Sequence, residues 1–103
     1  MEKIKNYLSE RKNFIGYHEN LIKEIKVITS TASDEVTEET IRDAINLVHK
    51  CEESIKKMDE LVRSMNVLEK IVLHDKIIET YFKKDCFKVR KDIIIALEEV
   101  VKS

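Results

Sequence analysis

Proline and tryptophan are absent from this sequence of 103 residues, and glycine occurs once. Glycine and proline supply most of the turns between strands, so their near absence argues against a β-sheet protein. A composition with 43% hydrophobic and 38% charged residues is instead typical of amphipathic helices with solvated outer faces. The length is that of one domain, and we predict a single helical domain over residues 1–103.

A large net charge is missing as well, since the formal net charge is −1. The whole molecule therefore exerts no strong attraction on nucleic acid or an anionic membrane. No apolar run approaches the ~20 residues of a membrane span, and residues 1–30 mix charges where a signal peptide would be apolar. We expect a cytoplasmic protein with no membrane partner. Cys51 and Cys86 are then expected to be thiols, with a disulfide between them as the alternative.

The first helix is predicted over residues 2–29. One row of residues repeats at spacings of four and three: Ile4, Leu8, Arg11, Ile15, His18, Ile22 and Ile25. A second row follows at sevens: Tyr7, Phe14, Leu21 and Ile28. Together the rows form an apolar face broad enough for a helical bundle. Gly16 leaves the spacing unchanged, which predicts an uninterrupted helix with a neighbouring helix packed close to this glycine.

The second helix carries the most regular pattern of the chain. Its heptad row comprises Ile41, Ala44, Val48, Cys51, Ile55, Met58, Val62 and Met65. Thr37 can act as its N-cap, Val36 has the spacing of a hydrophobic staple to Ile41, and the Ser- and Thr-rich segment 29–35 predicts a preceding loop. Asn66 and Glu69 fit a capping box, which predicts an end near residue 64 and a new helix afterwards.

The last two helices are predicted over residues 67–83 and 86–102, with Asp85 as the cap of the final one. The expected fold is all-α, an antiparallel four-helix bundle, or three long helices if the second and third are continuous. The predicted core comprises Ile4, Leu8, Ile15, Ile22, Ile25, Ile41, Ala44, Val48, Cys51, Ile55, Met58, Val62, Leu68, Ile71, Ile78, Phe82, Ile93, Leu97 and Val100.

The leading functional hypothesis is a non-enzymatic protein-interaction module of the inhibitor, immunity, chaperone or adaptor type. The run of apolar residues at 93–97 surrounds its helix almost completely, which indicates a helix enclosed on more than one side. A protein partner or a second copy of the chain would provide the extra cover, and the alternative is a core helix that is slightly more hydrophobic than its burial requires. The predicted partner-binding residues lie on the last two helices: Leu73, Ile77, Ile94, Ile95 and Val101.

A basic segment gives an alternative function. Residues 83–91 contain five basic side chains and one acidic one, and the basic ones are Lys83, Lys84, Lys88, Arg90 and Lys91. Two short helices joined here by a tight turn would have the outline of a helix-turn-helix that binds nucleic acid. The near-neutral net charge and the surrounding acidic residues favour a solvated surface cluster instead.

Arg11 and His18 are polar residues in the apolar row of the first helix. Their spacing resembles the Arg–His motif of HEPN-type ribonucleases, which are also helical bundles. That resemblance covers residues 11–18 only, and it implies a site for RNA cleavage at a dimer cleft. The structural alternative is that Arg11 extends to the edge of the core and His18 is a boundary residue bonded to a neighbour.

Motifs for metal, cofactor or nucleophilic chemistry are missing from the sequence. It contains no Glu-x-x-His, Cys-x-x-Cys or His-x-x-x-His, no glycine-rich phosphate loop and no nucleophile elbow. We therefore predict no catalytic residue, metal ligand or cofactor, and no small-molecule site.

Overall fold

The computed structural model describes residues 1–30 and 36–102. These residues form four helices, α1 (Glu2–Ser30), α2 (Glu38–Ser64), α3 (Val67–Val72) and α4 (His74–Lys102), and contain no strand. The prediction of an all-α helical bundle is confirmed. No helix among the described residues has the length and apolarity that a membrane span requires.

Both predicted boundaries of α2 are confirmed. The hydroxyl of Thr37 accepts a hydrogen bond from the backbone N–H of Thr40 at 3.4 Å. At the other end, Asn66 and Glu69 exchange two side-chain-to-backbone bonds of 2.9 Å and so form a complete capping box. These bonds satisfy amide groups that a helix start leaves without partners. Part of the predicted loop 29–35 differs, because residues 29 and 30 belong to α1 and residues 31–35 lie outside the described part.

The turn predicted at residues 84–85 is wrong. The short α3 ends at Val72 with Leu73 as its C-cap, and α4 then runs without interruption through Asp85, which lies inside the helix. No glycine or proline stands in this segment to stop a helix. Phe87 is buried against the rest of the bundle, and Lys84 and Lys91 bond to α2 on either side of it, so continued helix gives all three a partner. The outline of a helix-turn-helix is therefore absent here.

The long helices alternate in direction along the chain. Lys3 of α1 donates to the carbonyl of Ser64 at the end of α2 across 2.7 Å, so these two helices are antiparallel. Lys84 of α4 contacts Asp59 of α2 and Lys91 contacts Glu52, so later residues of α4 meet earlier residues of α2 and this pair is antiparallel too. It follows that α1 and α4 run parallel. Most of the packing joins α1 to α2, and α4 lies less closely against α1.

The core follows rows spaced by seven in α1 and α4 and the predicted heptad row in α2. Its buried apolar residues are Tyr7, Phe14, Leu21, Ile28, Ile41, Ala44, Val48, Cys51, Met58, Met65, Leu73, Phe87 and Ile94. The prediction for α2 is largely confirmed, with Ile55 and Val62 only half-buried at its margins. One broad face of α1 packs against both α2 and α4, which lie on the same side of it. This arrangement determines which row of α1 lies at the centre of the core.

The predicted core is wrong for much of α1, α3 and α4. In α1 the second row is central, and the first row is half-buried except at Leu8, which is exposed, and at His18, which is buried. In the later part of the chain the exposed residues are Leu68, Ile71, Ile78, Phe82, Ile93 and Val100, and Leu97 is half-buried. The unbroken α4 turns the row Leu73, Thr80, Phe87 and Ile94 inward, so residues on its other side face outward.

Gly16 lies inside α1 without breaking it, as predicted. The expected close helix is not there, because a Cβ atom built on Gly16 would have nothing within 4 Å. The glycine therefore does not serve helix packing.

Candidate functional site

Arg11 connects α1 to α4 near the first third of each helix. Its Nε donates to Thr80 Oγ1 at 3.0 Å, and its Nη2 contacts Glu79 Oε2 at 2.9 Å. The buried Thr80 hydroxyl in turn donates to the carbonyl of Lys76 at 2.6 Å. Burial raises the pKa of the neighbouring Tyr7, although a hydrogen bond with Thr80 lowers it in part. These groups form a polar cluster in which the buried side chains have partners.

His18 makes the second polar contact between α1 and α4. Its imidazole stacks on Phe14, with ring centroids 5.5 Å apart, and meets Phe87 edge to face at 5.9 Å. Its Nε2 lies 3.1 Å from Nη1 of Arg90. Burial lowers the pKa of His18, and the positive charges of Arg90 and Lys83 lower it further.

Arg11 and His18 therefore contact different residues of α4. The later residue of α1 contacts the later residue of α4, as it must in parallel helices. The two contacts fix the axial position of α1 relative to α4, because an apolar interface alone would allow the helices to slide along each other. This geometry supports a structural role for both residues. The RNA-cleaving site implied by the resemblance to HEPN-type ribonucleases stays a prediction, and the burial of His18 restricts its access to a substrate.

A groove runs along the open side of the α1–α4 junction, above His18. Ile15 and Ile22 line it from α1, and Phe82 and Cys86 line it from α4. Lys83 and Arg90 border the same groove. Because α4 packs less closely on α1 than α2 does, the apolar side chains here are not covered by another element.

A row of exposed, mostly apolar residues continues from this groove along α4. We call it the α4 seam, and it consists of Phe82, Cys86, Val89, Ile93 and Ala96, at spacings of four, three, four and three. Phe82 is 68% exposed, Val89 62% and Ile93 41%. The α4 seam and the three residues Leu8, Ile15 and Ile22 of α1 form the α1–α4 face. Contiguous exposed apolar surface of this kind marks interaction sites more often than scattered apolar residues do.

The predicted partner-binding residues do not form this face. Leu73 and Ile94 are only 3% and 0% exposed, so the monomer does not present them and this part of the prediction needs correction. Ile77 and Val101 are half-buried against the core. Ile95 is exposed but lies two residues, or about 200° of helical rotation, from Ile93. The apolar residues around the whole circumference of α4 at 93–97 indicated an additional interface, but they did not indicate which side of the helix forms it.

The α4 seam could have been found from the sequence. Its spacing is as regular as that of α2, but a helix break at residues 84–85 divides it into two short pieces that show no repeat. Assuming an unbroken α4 makes the repeat visible. The repeat alone does not say which side of α4 faces outward, and the burial of Thr80 and Phe87 decides it.

The predicted nucleic-acid-binding residues are divided between two sides of α4. Lys84 is paired with Asp59 and Lys91 with Glu52, both across the α2–α4 groove. 

Lys83 and Arg90 instead lie beside His18, and Lys88 is exposed. The five side chains therefore do not form one basic patch. Binding of nucleic acid through them stays a prediction, which the ion pairs to α2 disfavour.

The two cysteines differ in their surroundings, and both are free thiols. Cys51 is buried in the core, and burial raises its pKa to about 12. Cys86 is exposed on the α4 seam. Across residues 1–30 and 36–102, no three side chains of the metal-ligating types come together as a candidate metal site.

Comparison of the chain with protein-family models, with curated proteins and with solved structures finds no match. Only the geometry of this chain therefore indicates its function.

Proposed function

We propose that this chain is a non-enzymatic protein-interaction module that binds a protein chain, either another protein or a second copy of itself, through the α1–α4 face. The observation that carries the proposal is the continuous exposed row on α4 beside the open groove to α1. Exposing Phe82, Val89 and Ile93 to water is unfavourable, and covering them recovers about 25 cal/mol for each Å² of apolar surface.

The polar contacts at the base of the groove fit this function. Arg11 and His18 hold α1 and α4 at one relative height, so both sides of the face are fixed before a partner binds. A rigid surface loses less conformational freedom on binding than a mobile one does. The free thiols agree with a reducing compartment, and a cytoplasmic location is part of the proposal.

Site-specific photo-cross-linking in the native cells tests the proposal. A photoreactive amino acid at Val89 is expected to give one defined protein adduct, identified by mass spectrometry. The same amino acid at the exposed neighbour Lys88, which lies outside the α1–α4 face, is the matched control and should give none.

Competition gives the test its specificity. For an adduct with another protein, an excess of the unmodified chain should abolish it, whereas an excess of the Val89→Glu chain should leave it unchanged. The proposal fails if Val89 gives no adduct, or if Val89 and Lys88 give the same ones.

A further inference from the structure

The proposed function leaves open which protein chain covers the α1–α4 face. Three features of α4 and its surroundings favour a second copy of this chain: the spacing of the α4 seam, the surface area of the chain and the arrangement of charge. The inference rests on the proposed function, since it requires the same face to be a binding surface.

The spacing of the α4 seam is that of a coiled-coil interface. From Phe82 to Ala96 the row alternates steps of four and three residues. Each seven-residue repeat therefore contributes two residues to one narrow stripe along the helix. Such a stripe packs best against another helix with the same repeat. An α4 helix from a second copy has that repeat in the same phase.

The accessible surface of the chain is larger than its mass requires. It measures 6987 Å² for 12.1 kDa, whereas a compact monomer of this mass exposes about 6,000 Å². The elongated form, 53 by 19 by 17 Å, and the open α1–α4 face both contribute to the difference. The excess of about 1,000 Å² is comparable with the ~800 Å² that each partner buries in a standard interface.

Opposite charges flank the α4 seam on its two sides. Lys83 and Arg90 each follow a seam residue and lie on the side of α1, where they border the groove. Asp85 and Asp92 each precede a seam residue and lie on the other side, where Lys88 also precedes one and borders the groove to α2 with Asp85. The stripe therefore has a flank with two basic residues, Lys83 and Arg90, towards α1 and a flank with two acidic residues and one basic residue away from it.

This arrangement selects one orientation for two copies. A two-fold axis along the helices keeps them parallel and exchanges the flanks, so the acidic flank of each copy meets the basic flank of the other. A two-fold axis across the helices makes them antiparallel and places like charges together. Flanking charges of this kind set the orientation of helix pairs, and like charges in contact are unfavourable.

We propose that the chain forms a parallel homodimer in which the two α4 seams pack against each other about an axis along the helices. Asp85 of one copy then lies near Arg90 of the other, five residues further along the pair. Lys12 of α1 joins the same contact, because the bond between Arg11 and Thr80 puts it at the height of Phe82, within one turn of Asp85. Glu19 and Glu79 are acidic residues on the α1 side, and Glu79 is paired with Arg11.

Sedimentation equilibrium over a wide concentration range is the first test. The wild-type chain is expected at twice 12.1 kDa at high concentration. The Val89→Glu variant should remain a monomer, because it places two carboxylates against each other in the seam. Lys88→Glu changes the neighbouring residue outside the seam and should still dimerise. Circular dichroism confirms that the variants are folded, which is expected since both positions are exposed.

Charge reversal then distinguishes the two orientations. In the parallel dimer, Asp85→Lys should raise the dissociation constant about tenfold, because it turns attraction into repulsion at two symmetric contacts. Lys12→Asp should weaken the dimer in the same direction, and combining the two changes should restore much of the affinity. In an antiparallel dimer Asp85→Lys would strengthen association, and that result would overturn the proposal.

Cross-linking gives an independent measure of the orientation. Ala96→Cys in a Cys86→Ser background places a thiol near one end of the seam, and Cys51 is buried. A short bismaleimide should join two copies through residue 96 only if the helices are parallel. Lys88→Cys in the same background is the control and should not cross-link. An Ala96→Cys variant that fails to cross-link as a dimer contradicts the parallel arrangement.

The outcomes separate this inference from the proposed function. A chain that stays monomeric at every concentration overturns the homodimer, while a heterologous adduct at Val89 would still support the interaction module. A dimer that persists in the Val89→Glu variant overturns the use of the α4 seam for self-association. Absence of both a dimer and any Val89 adduct overturns both proposals.

Discussion

The contact between Arg90 and His18 determines which nitrogen of the neutral imidazole carries the proton. Nη1 of the guanidinium is 3.1 Å from Nε2 of the ring. Arginine has no acceptor, so Nε2 must accept and the proton of the neutral ring is on Nδ1. Protonation at Nε2 would remove this bond and add a positive charge beside Arg90 and Lys83. The contact between α1 and α4 therefore depends on a neutral histidine.

Acid is expected to destabilise the fold through His18. Because the pKa of His18 in the folded chain is lowered from an ordinary value of about 6.5, the unfolded chain binds a proton first as pH falls. The contribution of His18 to the free energy of unfolding is thus complete above about pH 6.5 and is lost as pH falls through the folded-state pKa. The nearby Glu19 opposes this shift but does not reverse it.

Urea denaturation of the wild type and of His18→Gln at a series of pH values measures this effect. Glutamine retains an acceptor for Arg90 and does not titrate, so the stability difference between the two chains should depend on pH below about 6.5. Carboxylates titrate in both chains and cancel in the comparison. A difference that stays constant with pH would contradict the prediction.

Thr80→Val should destabilise the chain by about 1–2 kcal/mol, because it leaves the Nε donor of Arg11 without its buried acceptor. The change preserves the shape of the side chain, so the effect reports hydrogen bonding. Glu79→Gln alters the exposed end of the same cluster and should change stability by less than about 0.5 kcal/mol. Chemical denaturation measures both, and equal effects would argue against the buried network.

Asn66→Ala is expected to cost about 1 kcal/mol, because it removes the side chain that caps α3. Asn46→Ala, at an exposed position inside α2, is the matched control and should stabilise slightly because alanine is the better helix former. Thermal denaturation followed by circular dichroism compares them. Similar behaviour of the two variants would show that the capping box does not stabilise the α2–α3 junction.

Gly16→Ala should increase stability by about 0.5–1 kcal/mol. The position is inside α1, its surroundings leave room for a methyl group, and alanine restricts the unfolded chain more than glycine does. Urea denaturation provides the measurement. Destabilisation would mean that a partner or a second copy approaches the backbone of Gly16, since the monomer itself does not.

A thiol reagent such as dithionitrobenzoate should modify a single cysteine of the native chain in dilute solution. Cys86 is exposed, whereas Cys51 is buried and its pKa is raised to about 12, so it offers little thiolate at neutral pH. The Cys86→Ser variant should react only after denaturation. Fast reaction of that variant in its native state would show that the core around Cys51 opens readily.

The sequence by itself determined the helical class and the limits of α2. Without proline and with one glycine, no other regular structure was available to a chain with these apolar rows. The Thr37 cap and the Asn66–Glu69 capping box depend on groups within four residues of each other, so local sequence was sufficient to predict them. The core row of α2 was also predictable, because that helix packs against both neighbours and its apolar stripe is narrow.

Only the tertiary structure decided which sides of α1 and α4 are buried. Both helices carry apolar residues around more than half of their circumference, and the spacing alone does not distinguish the inward row from the exposed one. Packing against α2 selects Phe14 in α1 and Phe87 in α4, and it leaves Phe82 and Val89 outside. The α1–α4 face exists because α4 continues past residue 85, and the contacts with α2 that support this continuation, those of Lys84 and Lys91, join residues 25 and 39 positions apart in the chain.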